Sequence, residues 1–580
     1  MELANGYLPM NNNFLNQPKI KRITEIILKA VPFFVIVWAV YFANKNKFLQ
    51  DDAFITFRYS ENFVNGFGIV FNIGEYLEGY TNFLWMLFVS LGILFKQAPE
   101  NFSIQLGLFF YSGSLLVWYR IAKLLFKSNT FHIVGFLFIL GFNYSFSSYA
   151  TGGLETSLIT FLISVTAYLT LRTYDQPKFS ALSLIFLSFT LSLLFLTRMD
   201  AGLVAIATGI FLLFKVRNQG RELFRFLFLI SFPFAIIVGL WFLWKLKYYG
   251  HIFPNTFNAK VGGNNTDSLL AGIEYFHLFF SIYSLGPFLI LGIILAFYKS
   301  NFKAYSFLGY LGSLVGLTSL YIIWVGGDFM EFRFMTPILP PIILALFLIY
   351  REQARPNLLI ASILIATSVS SYYFRLQDRF FLEPISNFSG METTRMLEKH
   401  LKSPFENWSS IGKKFAEYFG NSQVRLAVTA AGAIPYYSKL YTLDMLGLMD
   451  SNVRNPDKFL TNERLKSGHK RFSKVSYLKE KKINLVISHP IINLTNDFVD
   501  QFPVEAYVIS SRMPNLKMKR EVVLREFFPH ISDEEMQSIQ SFKLLWIPIN
   551  ESIKVLTIYL NPSEDIDRKI AENNWELIQL

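Results

Sequence analysis

Apolar runs separated by short polar segments occupy most of the chain before residue 375. Crossing a hydrocarbon core takes about 20 mainly apolar residues in a helix. Windows starting at Phe179, Phe226, Leu278, Tyr305, Phe334 and Asn357 hold no Asp, Glu, Lys or Arg over nearly that length. Shorter or less clean windows start at Ala30, Thr81, Phe102, Ile133, Thr156 and Ala201. A hydrated protein cannot bury so many uncharged helices, so the pattern predicts a polytopic α-helical membrane protein. Beyond residue 375 mixed charge and turn residues take over, which predicts a separate soluble domain over residues 375–580. There Val424 to Thr429, Ile483 to Ser488 and Val555 to Leu560 read as buried strands and Ser473 to Lys481 as a helix, an α/β texture.

Basic residues set the orientation. They gather at Arg120 to Lys127, Arg172 to Lys178, Lys215 to Arg225, Lys299 to Lys303 and Arg351 to Arg355, and such loops stay cytoplasmic. The segments Asp51 to Tyr80, Thr151 to Glu155, Thr197 to Asp200, Tyr248 to Glu274 and Gly326 to Arg333 then lie outside. Lys19, Lys21 and Arg22 precede the first apolar run, Ala30 to Ala43, with no small-residue cleavage signal after it. That predicts a cytoplasmic segment at residues 1–24 and a retained first span. The membrane domain is placed at 25–374, with its first external loop at 44–82 and the C-terminal domain external. Two full spans after that loop would leave Lys123 and Lys127 outside, so one segment between residues 81 and 126 is expected not to cross, leaving about 11 crossings. The excess of 54 Lys+Arg over 42 Asp+Glu suits a bacterial inner membrane, and no nucleic-acid partner is expected. With no cysteine the chain holds neither a disulfide nor a thiolate metal site.

The external loops carry the chemistry. The first holds Asp51 and Asp52, then Arg58, then Glu78, Tyr80 and Asn82. Its spacing predicts a short amphipathic helix in the interface, with Phe54, Phe57 and Phe63 toward lipid and the two carboxylates near its positive end. Other loops repeat an ionisable residue beside Gly or Pro: Glu155, Arg198 with Asp200, Asn255 with Lys260, and Asp328 with Arg333. Ionisable groups at a membrane edge are costly unless they serve a cavity. Glycosyl transfer from a lipid phosphate needs a base, cations for the leaving phosphate and a groove for the lipid. Asp51 or Asp52 is the candidate base; Arg58, Arg198, Lys260 and Arg333 are the candidate phosphate ligands. Glu78, Tyr80, Asn82, Glu155, Asp200, Asn255 and Asp328 are candidates for binding substrate. The acidic pair also suits a divalent cation, Mg or Mn. No dinucleotide fingerprint, phosphate-binding loop or His-Glu-x-x-His pair is present.

The run DDAFITFRYSENFVNGFGIVFNIGEYLEGYTNFLW from Asp51 resembles the first external loop of the bacterial terminal arabinofuranosyltransferases, members of the GT-C superfamily of polytopic glycosyltransferases. TGGLETSL from Thr151, LTRMDAGL from Leu196, YYGHIFPNTFNAK from Tyr248, VGGDFM from Val325 and AAGAIPYYSKLYTLDMLGLMD from Ala430 are similar to further blocks of that family, with SGHK from Ser467 a weaker one. The blocks run from about residue 50 to 490 and cover both domains. In LTRMDAGL, Met199 stands where the family pattern has Pro, and Arg198 and Asp200 are kept.

The resemblance implies a GT-C membrane core, an external active site with the acidic pair catalytic, a decaprenyl-phosphate-type donor, and an external domain that helps form an acceptor groove. Within that domain Ala431 to Tyr437 reads either as a strand-to-helix turn packed on the membrane part or as a sugar site; Tyr436, Tyr437 and His469 are the residues that would stack on or hydrogen-bond an acceptor. The expected function is transfer of arabinofuranose or another monosaccharide from a polyprenyl-phosphate donor to a cell-envelope glycan. The rivals are a glycan polymerase or ligase using a pyrophosphate-linked oligosaccharide, and a lipid-linked sugar transporter. Transporters tend to place charges near mid-bilayer, whereas here they collect at one face.

Overall fold

The structure is a computed structural model. It describes residues 18–579 apart from 128, 261–264, 299–305, 377–390, 403–406, 462–467, 495–519, 530, 540 and 552. Helix α1 spans Pro18–Lys45, and the loop that follows folds as α2, Asp51–Val64. Then come α3 (Phe83–Leu94), α4 (Pro99–Phe126), α5 (Thr130–Phe142), α6 (Tyr144–Ser148), α7 (Thr156–Tyr174), α8 (Ala181–Thr197), α9 (Gly202–Val216) and α10 (Gly220–Tyr249). After α11 (Asn255–Lys260) and α12 (Asn265–Ile282) the bundle closes with α13 (Gly286–Tyr298), α14 (Ser306–Val325), α15 (Leu339–Tyr350) and α16 (Pro356–Phe374).

Seven of these helices are long and apolar enough to cross a membrane, an eighth if the pair α12 and α13, bent by 95°, counts as one span. Four shorter apolar helices complete the set, and the chain is a multi-pass membrane protein. Helix α3 rises only about 18 Å against a core about 30 Å thick. The start of α4 faces the soluble domain, because Glu100 accepts a hydrogen bond from the Tyr437 hydroxyl at 2.8 Å.

Basic loops meet one another at the far end. Arg351 donates to the Leu125 carbonyl at 2.8 Å, and Lys215 donates to the carbonyls of Tyr174 and Gln176. The acidic and amide-bearing loops gather at the opposite end, against the soluble domain.

That domain opens with α17 (Thr394–Lys399) and α18 (Trp408–Phe419), then β1 (Arg425–Val428), α19 (Ala433–Ser438) and β2 (Tyr441–Asp444). A small hairpin pairs β3 (Phe459–Thr461) with β4 (Arg471–Ser473), followed by α20 (Val475–Glu480), β5 (Leu485–Leu494), β6 (Lys543–Pro548), β7 (Ile553–Tyr559) and β8 (Leu577–Gln579). Six strands form one sheet in the order β2-β1-β5-β7-β6-β8, parallel across β2, β1 and β5 and antiparallel beyond. Strand alternation divides the burial. Leu426 and Val428 of β1 and Leu485 and Ile487 of β5 join a core continuous with the membrane bundle, while Ala427 and Val486 face a second core on the other side.

Glu331 stitches the two parts together. It is fully buried, accepting hydrogen bonds from the Ser145 hydroxyl of α6 and from the Thr394 N–H of α17. Burial raises its carboxyl from 4.5 to about 7 although both donors oppose the shift. The folded protein therefore holds a proton that the unfolded chain has already lost, so this group's contribution falls as pH rises from about 4.5 through about 7. Glu331→Gln is expected to flatten the decline of Tm across that window, measured by thermal unfolding in detergent; an unchanged slope contradicts the assignment.

Candidate active site

Helix α2 has three working faces. Asp51, Phe54, Arg58 and Glu61, spaced i, i+3, i+7 and i+10, form a stripe on one side, and every one of them meets α19 or its flanks. The Asp51 carboxylate accepts from the N–H groups of Gly432 at 3.0 Å and Ala433 at 2.7 Å. Phe54 packs on Tyr436 and Tyr437, and Glu61 pairs with Lys439. Arg58 gives its N–H groups to the carbonyls of Phe71 (2.7 Å), Pro435 (2.6 Å) and Leu440 (2.8 Å) and to Asn72 Oδ1 (3.2 Å). A second face carries Thr56 and Ser60 toward α3, hydrogen-bonded to Asn82 and to the Met86 carbonyl. The third, Asp52 and Ile55, lines a cavity.

Gly432 makes the docking possible. A Cβ there would lie 2.0 Å from the Asp51 carbonyl oxygen, so the turn between β1 and α19 tolerates no side chain. Burial lifts the Asp51 carboxyl to about 7, the Ala433 N–H pulls it down, and the neighbouring charge of Asp52 pushes it up.

The cavity, of 760 Å³, lies between one end of the bundle and the C-terminal sheet-containing domain. Its polar floor is built from Asp52, Arg198, Asp200 and Asp328. Arg198 binds Asp200 through two bonds of 2.9 Å and reaches Glu155 at 3.2 Å. Arg333 pairs with Asp328 at 2.7 Å. The Phe334 ring receives both guanidinium groups, Arg198 at 4.9 Å and Arg333 at 5.1 Å. Burial disfavours the charged form of Arg333, but Asp328, then Glu155 and Asp52, hold it above its ordinary range. Burial likewise opposes ionisation of Glu155, and Arg198 and Arg333 overcome it. Among the described residues no partner accepts a hydrogen bond from the terminal nitrogens of Arg333.

Aromatic walls rise on the membrane side, from Phe83, Phe195, Trp241, Phe253, Phe257 and Trp324. The roof comes from the soluble domain: Ala430, Ala431, His400, Trp408, His469 and His489.

Of the residues singled out in the sequence, Asp51, Asp52, Glu78, Arg198, Asp200, Asp328 and His469 line this cavity. Glu155 and Arg333 line a small side chamber that shares Arg198, Asp200 and Phe334 with it. Six others lie elsewhere. Arg58 is consumed by main-chain carbonyls, which places it away from a phosphate. Asn255 is held in the same way, by the carbonyls of Gly447, Leu448 and Asp450. Asn82 bridges Glu155 and Thr56, and Tyr80 meets the Tyr249 hydroxyl at 3.2 Å. Tyr436 and Tyr437 pack against α2, so the turn from Ala431 is a docking element and these rings do not face the cavity. The lipid-facing expectation for Phe54 and Phe57 also gives way, since both are buried beneath those tyrosines while Phe63 stays exposed. The Lys260 side chain lies outside the described residues.

Asp51 and Asp52 both line the cavity, and each oxygen of Asp51 also accepts one backbone N–H group. Among the described residues no group of three or more His, Asp or Glu side chains is placed to hold a metal ion.

Several residues in or behind the cavity lining carried little sequence signal. Lys245 of α10 is fully buried, pairs with Glu78 at 2.7 Å and lies over the Trp241 ring. The clue was a lysine, followed by Lys247, at the end of a long charge-free apolar run. Gln50, His400, Trp408 and His489 had none, because nothing in their local sequence marks them.

Comparison with known proteins agrees with this architecture. ArnT from Cupriavidus metallidurans bound to undecaprenyl phosphate is similar over 93% of this chain and 99% of its own, at TM-score 0.51 and 11% identity. Its apo state gives 0.50 and 12%, over 94% and 100%. The archaeal oligosaccharyltransferase AglB from Archaeoglobus fulgidus, in complex with an inhibitory peptide and a dolichol-phosphate, is similar at 0.46 and 12%, over 90% of this chain and 74% of that one. The chain has the GT-C fold, with a C-terminal sheet-containing domain. Residues 398–537 match a family described as a domain of unknown function (DUF8728). No curated protein matches the sequence.

Docking through α2 is expected to fail in two variants. Gly432→Ala should lower Tm by several degrees and expose the junction to limited proteolysis. Arg58→Met, which removes the four hydrogen bonds the guanidinium gives to buried acceptors, should cost about 3 kcal/mol or more. Wild-type melting in both variants would contradict this account of the seam.

Proposed function

We propose that the protein is a glycosyltransferase that moves a monosaccharide from a polyprenyl phosphate to a cell-envelope glycan at the external face of a bacterial inner membrane. The observation that carries this is a cavity in which a carboxylate, Asp52, shares a polar floor with Arg198 beneath an aromatic wall, with Arg333 of the adjoining chamber joined to Arg198 across the Phe334 ring. In the proposed step an acceptor hydroxyl oxygen attacks the anomeric carbon and its proton passes to Asp52. The bond from that carbon to the phosphate oxygen breaks, and polyprenyl phosphate leaves as an anion facing Arg198 and Arg333. Asp51 seats the helix that aims Asp52.

The ArnT neighbour bound to undecaprenyl phosphate supports a prenyl-phosphate carrier, and the clustering of basic loops at the far end supports the orientation. Arabinofuranose is the leading donor sugar, from the likeness of the Asp51 to Trp85 block to the terminal arabinofuranosyltransferases.

Asp52→Asn is expected to lower transfer from a synthetic prenyl-phosphate arabinofuranose by about 10²- to 10⁴-fold. Arg333→Met should lower it by about 10²-fold or more. Undiminished transfer by Asp52→Asn would remove the base, and activity only with pyrophosphate-linked oligosaccharide would replace the donor class.

A further inference from the structure

We infer that the corner of the cavity formed by Gln50, Trp408 and His400 is a subsite for a neutral saccharide; naming its occupant the acceptor rests on the transferase reading above.

Gln50 immediately precedes α2 and is only 1% exposed, yet neither its Oε1 nor its Nε2 makes a hydrogen bond among the described residues, and its side chain does not cap the helix. Trp408 begins α18, is 7% exposed, and its Nε1 also makes none. Both line the cavity. The Trp408 ring stacks on His400, centroids 4.7 Å apart and planes within 10°, and His489 meets it edge-on at 5.5 Å. His400 in turn lies 3.4 Å from Glu392 and within electrostatic range of Asp51.

Each chemical class of occupant can be weighed against these groups. A carboxamide presents a donor and an acceptor side by side, and an indole adds a second donor. That set matches adjacent hydroxyl groups, each of which can give and take a hydrogen bond. An aromatic cluster beside them suits the C–H face of a sugar ring. A prenyl chain would leave all three polar atoms unpaired. A phosphate would meet the Gln50 oxygen and the carboxylates of Asp51 and Glu392.

Position favours the acceptor over the donor. The acidic pair of α2 has two different partners: Asp51 interacts with His400 of this corner, and Asp52 interacts with Arg333 of the side chamber. A sugar held by Gln50 therefore sits beside Asp51, the member of the pair that interacts with His400, whereas Asp52 is the member that interacts with Arg333.

The test uses the full chain in nanodiscs, with neutral arabinan, mannan and glucan hexasaccharides as probes in saturation-transfer NMR and undecaprenyl phosphate as a second probe in native mass spectrometry. Gln50→Leu and Trp408→Phe are each expected to weaken the best hexasaccharide about tenfold or more while undecaprenyl phosphate binds as in wild type, which also shows that the variants fold. Wild-type saccharide affinity in both variants, or no binding of any hexasaccharide to wild type, would overturn the subsite. Saccharide binding that depends on Gln50 and Trp408, with no undecaprenyl phosphate bound by wild type, would keep the subsite and sink the transferase reading.

Discussion

A buried guanidinium must spend all its donors, and the way Arg58 spends them holds this molecule together. Two of its acceptors are carbonyls of the soluble domain, Pro435 and Leu440, nearly four hundred residues further along the chain. Asp51, two turns earlier on the same stripe of α2, takes two N–H groups from the same turn. The Arg58 charge is not tolerable in a dry seam unless the two domains are in contact, so docking and burial are a single event. The continuous apolar core beneath them, with Phe54, Phe57, Ile434 and Tyr436 in one cluster, supplies the non-directional part of the same interface. The cavity exists because that docking leaves Asp52 on the open side of the helix.

Electrostatics inside the cavity follow from the same economy. Arg198 and Arg333 are each locked to an aspartate and share one ring, Phe334. Such clamping keeps both cations charged and immobile where the dielectric is low, as preorganised stabilisation of a leaving anion requires. Acids outnumber bases on the floor, so attraction for an anion comes from aimed donors at short range and not from a broad positive field.

Much of this was legible in the chain, and what was not shares one cause. Apolar runs of spanning length, the strands at Arg425–Val428, Leu485–Leu494 and Ile553–Tyr559 and the helix at Val475–Glu480 are local signals, and local periodicity exposes them. The helical character of α2 was readable for the same reason. Which of its faces meets what was not: amphipathic spacing says that Phe54 and Phe57 are buried, and lipid and Tyr436 satisfy that pattern equally well. Arg58 and Asn255 show the same ambiguity among polar residues. A loop arginine that binds backbone carbonyls and one that binds phosphate look alike until the tertiary partner is known. Gln50 and Trp408 were invisible because an unpaired buried amide or indole is defined by its surroundings alone.

The account stands or falls on where the carrier's phosphate sits. A structure of the protein in lipid nanodiscs with undecaprenyl phosphate bound measures this directly. The phosphate is expected within hydrogen-bond reach of Arg333 or Arg198, on the Asp52 side of α2, with the prenyl chain leaving along Phe195, Trp241 and Trp324. A phosphate bound at the far, basic end of the bundle, or a lipid path that never meets the Asp52 cavity, would contradict it.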